Sequence, residues 1–120
     1  MSVDIETFNA DWLRAWSEKD VDRLLGFYAP DAVYKDAQTA AGLTGHEALG
    51  AYLTQLFAAT PPMIYNPDET WAISGGFCGR WFCEIGEGGT DGRMRGFDLV
   101  LLKNDLITYN EVYVHQLGAT

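Results

Sequence analysis

Basic side chains are scarce in this sequence: eight Lys and Arg residues stand against 17 Asp and Glu, which gives a formal net charge of −9. Nucleic acids and anionic membranes repel an acidic surface, so we expect neither as a partner. Long hydrophobic runs are also lacking. The longest uncharged stretch, residues 48–67, contains Thr54, Gln55 and the Pro61-Pro62 pair, which excludes it as a membrane span.

Cysteine and histidine are equally scarce, with two residues of each. Cys78 and Cys83 are five positions apart on one predicted strand, so they point to opposite faces of the sheet and cannot bond to each other. We interpret them as reduced thiols, and because no signal segment opens the chain we expect a cytoplasmic protein. His46 and His115 have no third ligand at a useful spacing, so we expect no metal and no cofactor.

Apolar and aromatic residues, in contrast, are abundant. Nearly half of the 120 residues are hydrophobic, and they include four Trp, six Tyr and six Phe. A chain of this length is expected to fold as one domain, residues 1–120, with about two-thirds of its unfolded surface buried. Aromatic rings build cores and also line pockets for flat apolar ligands, although plain core is the simpler interpretation for any single ring.

Helical periodicity predicts two helices in the first 30 residues. The first covers residues 4–19 and is capped by Ser2 or Asp4. Asp20 caps a shorter second helix, which ends at Pro30 because proline interrupts a helix. The first helix carries an apolar stripe that consists of Ile5, Phe8, Trp12, Ala15 and Trp16.

A third helix is predicted after a short strand at residues 32–36 and a loop at residues 37–43. Thr44 and Glu47 form a capping box at its start, and the Pro61-Pro62 pair stops it. Its first turn leaves His46 exposed to solvent. Its inward face consists of Ala48, Leu49, Tyr52, Leu53, Leu56 and Phe57.

The second half of the chain changes to strand patterns. Helices that come first and strands that follow indicate an α+β domain with an antiparallel sheet, curved enough to wrap the helices. One face of this sheet would line a pocket, and a second subunit would partly cover the other. The predicted strands are residues 63–65 and 69–73, broken at Asn66-Pro67, then residues 77–85, 93–102 and 106–117.

Asp36, at the end of the short strand, is the first candidate for chemistry. It shares strand parity with Ala32 and Tyr34, whereas Lys35 points the other way and prefers water, so we expect Asp36 to face inward. A poorly hydrated carboxylate in an apolar pocket has a raised pKa and can act as a base near neutral pH. An ordinary turn residue after a strand is the alternative.

Asp98 is the second candidate, because it shares its predicted strand face with Met94 and Val100. A carboxyl buried there without a cation is protonated at neutral pH and donates a hydrogen bond. Alternatively, Asp98 pairs with Arg80 across the sheet. Two carboxyls with different pKa values in one pocket suit proton transfer next to a carbonyl, one as the base and the other as the donor to an oxyanion.

Three motifs, in their order and spacing, resemble the nuclear transport factor two-like superfamily, in particular its SnoaL-like and ketosteroid isomerase-like branch. The motifs read LLGFYAPDAVYKD at residues 24–36, LTGHEAL at residues 43–49 and GFDLVLLKNDLI at residues 96–107. The resemblance implies a cone-shaped α+β barrel, in which a curved antiparallel sheet wraps around three N-terminal helices. It also implies a deep pocket and usually a dimer through the outer face of the sheet.

The resemblance further implies roles for single residues. Asp36 corresponds to the catalytic base of the ketosteroid isomerases, Asp98 to their protonated oxyanion-hole acid and Tyr28 to a supporting tyrosine. Trp12 stands where those enzymes have their principal tyrosine donor, and its bulk argues against a steroid substrate. An epoxide hydrolase-like branch has an Asp–Arg–Asp arrangement, for which Arg80 is the candidate arginine, although strand alternation places it away from the pocket.

The resemblance leads to two functional expectations. The first is acid–base catalysis by Asp36 and Asp98, of isomerase, polyketide cyclase or dehydratase type, on a small hydrophobic molecule in a homodimer without a cofactor. The second is a non-catalytic ligand-binding or accessory domain with the same pocket, and a third, weaker one is an epoxide hydrolase-like enzyme. The residues expected to line the pocket are Trp12, Trp16, Tyr28, Tyr34, Tyr52, Phe57, Trp81 and Val112.

Overall fold

The structure, a computed structural model, describes residues 4–118. The predicted α+β class is confirmed, with three helices in the first half of the chain and most strands in the second. The helices are α1 (Ile5–Glu18), α2 (Val21–Leu25) and α3 (His46–Ala59). The strands are β1 (Tyr28–Lys35), β2 (Leu43–Thr44), β3 (Met63–Ile73), β4 (Gly76–Ile85), β5 (Gly92–Lys103) and β6 (Leu106–Gln116).

The six strands form one curved sheet in the order β2-β1-β6-β5-β4-β3, with β2 and β3 as its open edges. Four neighbouring pairs are antiparallel, as predicted, but β1 and β6 run parallel, with Tyr34 opposite Asn110. The expectation of a purely antiparallel sheet is therefore wrong at this pair. Because α3 and four strands lie between β1 and β6 in the chain, no short turn fixes their relative direction.

The core lies between the helices and the inner face of the sheet. Along β4 the side chains alternate, so that Phe77 and Trp81 are buried whereas Arg80 lies on the outer face. Phe8 of α1 packs edge-on against Phe77. The larger apolar residues that are fully buried are Trp12, Leu13, Tyr28, Leu24, Leu49, Leu53, Phe77, Val100 and Ile107.

Two predicted boundaries are wrong at prolines. Helix α2 ends at Leu25, and Pro30 lies inside β1, in the stretch where the pairing register with β6 shifts. A proline is tolerated there because an interrupted ladder needs no N–H donor from it. Similarly, β3 continues through Pro67 with a register shift instead of breaking in two.

The predicted helix caps have mixed outcomes. Asp4 and Asp20 cap α1 and α2, each accepting a hydrogen bond from a backbone N–H in the first turn. Ser2 lies outside the described residues. The capping box is wrong, because Thr44 belongs to β2 and the N-cap of α3 is Gly45, with a φ of 91° and no side-chain cap. Glycine adopts this backbone conformation without a steric penalty.

Lys19 connects the ends of two helices in a way that periodicity does not reveal. It follows α1 in the left-handed conformation, with a φ of 55°. Its ammonium group donates to the carbonyl oxygens of Phe57 at 3.2 Å, Thr60 at 2.7 Å and Pro61 at 2.9 Å. A cation at the C-terminal end of α3 satisfies carbonyl groups that the helix leaves unpaired and complements the helix dipole.

We expect Lys19→Met to lower the free energy of unfolding by about 2 kcal/mol, because hydrogen bonds from a charged donor contribute about 1.5–3 kcal/mol. Methionine keeps the length of the side chain and the same backbone constraint. Urea unfolding measures the change, with Arg14→Met on the exposed side of α1 as the control. If both variants unfold at the same urea concentration, the ammonium group does not stabilise the contact between α1 and α3.

Within residues 4–118, no helix combines the length and the apolar character needed to cross a lipid bilayer.

Candidate functional site

A cavity of about 240 Å³ lies between α1, α3 and the inner face of the sheet. Five aromatic rings and two carboxyl groups line it, and aliphatic side chains fill most of the remaining wall. The aromatic residues are Trp16, Tyr34, Tyr52, Tyr65 and Trp81, the acids are Asp36 and Asp98, and the apolar aliphatic residues are Leu13, Ala37, Leu56, Met94, Val112 and Val114.

Most of the residues expected to line a pocket are brought together here, but three are not. Trp12 and Tyr28 are enclosed in the core, each about 1% exposed, and lie outside the cavity lining. Phe57 packs edge-on against Trp16 and lines a second space of about 60 Å³. A helical stripe reports which side of a helix is buried, but not which of its residues meet a cavity instead of packed side chains.

Asp36 faces inward and is held by hydrogen bonds on both carboxylate oxygens. Its Oδ2 accepts from the hydroxyl groups of Tyr34 at 2.9 Å and Tyr52 at 2.6 Å. Its Oδ1 accepts from the backbone N–H of Gln38 and from the N–H and hydroxyl of Thr39, at 2.9–3.0 Å. The alternative interpretation of Asp36 as a turn residue is therefore also right, since these bonds close the turn after β1.

The expected rise in the pKa of Asp36 is wrong. Burial acts to raise this pKa, but the donors from Tyr52, Tyr34, Thr39 and Gln38 outweigh burial, and the pKa lies below its ordinary value. Hydrogen bonds to the ionised form favour that form. Asp36 is therefore a carboxylate at neutral pH. An Asp followed three residues later by Thr signals such a turn in the sequence, but Tyr52 is contributed by a distant helix.

Asp98 lies in the middle of β5 and is only 3% exposed. The indole N–H of Trp81 donates to its Oδ2 at 2.6 Å, and the amide of Asn110 donates to its Oδ1 at 3.1 Å. Burial raises the pKa of Asp98 to about 7, although both donors act to lower it. The carboxyl group therefore changes its charge close to neutral pH.

Gly96 explains how the bulky Trp81 reaches Asp98. The two residues are directly opposite each other on β4 and β5, and the indole ring lies across the glycine. A Cβ atom at position 96 would lie 2.0 Å from the ring, so any other residue would displace it. The absence of a side chain here thus permits the hydrogen bond between Trp81 and Asp98.

Asn110 extends this network and was missed in the sequence. Its side-chain oxygen accepts a hydrogen bond from the hydroxyl of Tyr28 at 2.8 Å, while its amide N–H donates one to Asp98. Burial, together with the charge of Asp98, raises the pKa of Tyr28 so that the phenol stays protonated. Tyr28 thus supports the acid through Asn110 and not by direct contact. The signal available in the sequence was an asparagine in the middle of a predicted strand.

Arg80 lies on the outer face of the sheet and not in the cavity. Its guanidinium group contacts Asp68 at 2.7 Å and Glu69 at 3.7 Å. The alternative pairing of Asp98 with Arg80 is therefore wrong. The epoxide hydrolase-like interpretation loses its candidate arginine for the same reason, since strand alternation puts Arg80 and Trp81 on opposite faces.

The remaining candidates lie away from the cavity lining. His46 is half-buried, not exposed as expected, because its Nε2 contacts the backbone oxygen of Tyr28 at 2.8 Å. His115 is exposed and accepts a hydrogen bond from Arg95. Cys78 and Cys83 are free thiols on opposite faces of β4. In the part of the chain that the structure describes, no three His, Cys, Asp or Glu side chains are grouped as metal ligands.

Comparison with known proteins gives one family match and many structural matches. A family model described as a SnoaL-like domain matches residues 10–110. No curated protein is significantly similar to the chain.

Three solved structures illustrate the shared fold. A protein with a ketosteroid isomerase-like fold from Catenulispora acidiphila, in complex with trimethylamine, has a TM-score of 0.76 at 17% identity, over 88% of this chain and 83% of the other. A SnoaL-like protein of unknown function from Burkholderia thailandensis has a TM-score of 0.72 at 18% identity, over 95% of each chain. A candidate polyketide cyclase from Sinorhizobium meliloti has a TM-score of 0.73 at 20% identity, over 89% and 94%. These matches confirm the predicted resemblance to the nuclear transport factor two-like fold.

We expect the free energy of unfolding to fall as the pH rises from about 5 to 8. In the unfolded chain Asp98 has already lost its proton, whereas in the folded state its pKa is about 7. The contribution of Asp98 to the free energy of unfolding is therefore fully present below the unfolded pKa and is lost as the pH rises through the folded pKa of about 7. The loss is steepest between the two pKa values, at about 1.4 kcal/mol per pH unit.

The variant Asp98→Asn should flatten this dependence, and Asp105→Asn should not. Asp105 is an exposed turn residue with a φ of 65°, a conformation that asparagine also adopts. Chemical denaturation at a series of pH values measures the slopes. An unchanged slope in Asp98→Asn would show that another group causes the dependence.

Proposed function

Because the chain belongs to the SnoaL-like domain family, we propose that its cavity binds a small hydrophobic carbonyl or cyclic compound and moves a proton on it without a cofactor. One observation carries this proposal: the carboxyl group of Asp98, only 3% exposed, lies on the wall of an apolar cavity, and burial raises its pKa to about 7. General acid–base catalysis is most efficient when the pKa of the catalytic group lies near the working pH.

Asp98 is the group that we propose transfers the proton. It accepts one hydrogen bond on each oxygen, so about two of its four lone-pair sites are available to a substrate. At neutral pH its ionised form can take a proton from the carbon next to a carbonyl, and the resulting acid can return it. Trp81 and Asn110 hold the carboxyl group in place.

Asp36 takes a different role from the one that the family resemblance implies. Its two oxygens already accept five hydrogen bonds, which leaves no lone pair for a substrate proton. We propose that it is a positioning residue. Because Tyr34 and Tyr52 direct their hydroxyl hydrogens at Asp36, their phenol oxygens act as hydrogen-bond acceptors towards a ligand.

The size of the cavity limits the ligand. Its volume of about 240 Å³ lies below the range of about 300–1,000 Å³ that is usual for sites of drug-sized molecules. A compound of one or two rings suits this volume better than a four-ring steroid. The exclusion of steroids therefore rests on the size of the cavity and not on Trp12, which lies outside its lining. The trimethylamine complex of the Catenulispora acidiphila protein supports a small-molecule site in this fold.

Hydrogen–deuterium exchange tests the catalytic proposal without knowledge of the natural substrate. A small cyclic ketone such as indanone is incubated with the protein in deuterated water, and NMR follows exchange at the carbon next to the carbonyl. We expect the catalysed rate to rise with pH and to level off above about pH 7, because ionised Asp98 is the base.

Asp98→Asn should lower this rate by about 100-fold or more, and Asp105→Asn should leave it unchanged. Because Asp36 positions the lining without touching the exchanging proton, Asp36→Asn should change the KM for the ketone more than the kcat. Ketone binding without exchange would favour the alternative, a non-catalytic ligand-binding domain. Loss of exchange in Asp36→Asn with full exchange in Asp98→Asn would reverse the proposed roles.

We also propose that the protein forms a homodimer through the outer face of the sheet. Trp71, Phe97 and Tyr113 are exposed there on three strands, and the rings of Trp71 and Phe97 lie 5.8 Å apart. Arg80 stacks over Trp71 while it pairs with Asp68 on the same face. Such a patch, apolar and bearing both signs of charge, can complement itself across a two-fold axis.

Phe97→Asp should shift a dimer towards monomer, because it places a charge in the centre of the patch. Sedimentation velocity measures the change, and Gln55→Asp on the exposed surface of α3 is the control. A wild-type protein that sediments as a monomer at all concentrations would contradict the proposal.

A further inference from the structure

The five rings that line the cavity form one continuous arc. Their centroids are separated by 5.8 Å from Tyr52 to Tyr34, 6.4 Å from Tyr34 to Trp16, 5.9 Å from Trp16 to Tyr65 and 4.9 Å from Tyr65 to Trp81. We call these five rings the aromatic arc. α1 and α3 contribute two of them, and three strands contribute the others.

A carboxyl group lies at each end of the aromatic arc. At one end, Tyr52 and Tyr34 donate hydrogen bonds to Asp36, and at the other end Trp81 donates to Asp98. A ring whose O–H or N–H points at a carboxylate has a more electron-rich face, which attracts a cation more strongly.

None of the eight Lys and Arg side chains lines the cavity. Several lie instead on the outer face of the sheet, where Lys35, Arg80 and Arg93 stack over aromatic rings. Lys19 is engaged with the C-terminal end of α3. The cavity lining therefore combines aromatic rings with acidic groups and includes no cationic side chain.

We infer that the cavity selects a small ligand that carries an ammonium group, with the cation against the aromatic arc between the two carboxyl groups. Aromatic faces recognise tertiary and quaternary ammonium groups, because such cations are weakly hydrated and meet the negative face of the ring. The neighbouring carboxylate offsets the loss of water around the cation. The inference rests on the proposal that the cavity is a ligand site. It narrows the small compound proposed there to one that also carries an ammonium group, and it does not require turnover.

Three probes of matched shape test the inference by isothermal titration calorimetry on the wild-type protein. They are choline, its neutral analogue with a tert-butyl group in place of trimethylammonium, and the tert-butyl analogue that ends in a carboxylate. At about pH 8 and constant ionic strength we expect choline to bind at least about tenfold more tightly than the neutral analogue, and the anion most weakly.

The outcomes separate the charge preference from the ligand site itself. Equal or tighter binding of the neutral analogue overturns the ammonium inference and leaves the ligand site standing. Binding of none of the probes also overturns the inference, and the ketone exchange experiment then decides the proposed function independently. Trp16→Leu should abolish the preference for choline, whereas Trp16→Phe, which keeps a ring in the arc, should retain it.

A pH series adds a readout that a purely apolar site would not give. The affinity for choline should increase from about pH 6 to 8 as Asp98 ionises, while that for the neutral analogue should not. Burial raises the pKa of Tyr34, Tyr52 and Tyr65 in the cavity lining, and that of Tyr28 and Cys83 in the core beside it, so all five stay neutral in this window. Asp36 is already ionised throughout it. A choline affinity that is independent of pH would exclude Asp98 from the cation site.

Discussion

The burial of the Asp98 carboxyl group constrains much of the surrounding structure. A carboxyl group removed from water needs hydrogen-bond partners, and the inner face of the sheet supplies them from the two neighbouring strands. Trp81 on β4 and Asn110 on β6 donate to it, and Tyr28 on β1 fixes the orientation of Asn110. Even the missing side chain of Gly96 serves this arrangement, since it admits the indole ring. One acidic group thus links four strands.

The two carboxyl groups of the cavity differ because their surroundings differ. Asp36 lies at a strand end, where backbone N–H groups of the turn and two phenols reach it, so it stays charged. Asp98 lies in the middle of a strand, where the backbone N–H groups are already hydrogen-bonded within the sheet. Its donors are therefore two side chains, those of Trp81 and Asn110. The same residue type therefore has a lowered pKa in one place and a raised pKa in the other.

Strand alternation in the sequence predicted which way Asp36, Trp81 and Arg80 point, because parity is a local property. The protonation state of Asp36 could not be predicted in this way, since Tyr52 donates to it from α3. The parallel pairing of β1 with β6 and the enclosure of Trp12 depend likewise on contacts between distant segments. The family motifs located the two acids, but the number of donors around each acid follows from the folded chain alone.

A purely structural role for Asp98 is difficult to reconcile with its effect on stability. A carboxyl group whose pKa rises from 3.8 to about 7 on folding destabilises the folded state by roughly 4 kcal/mol at alkaline pH, compared with one that keeps its ordinary pKa. An asparagine at this position would still offer a side-chain oxygen to the donors of Trp81 and Asn110 and would not have this cost. Groups with such shifts in a cavity are typical of functional sites. Asp36, in contrast, stabilises its turn, and its presence alone would not indicate a functional site. The functional argument for the cavity therefore depends on the buried acid and not on the presence of two acids.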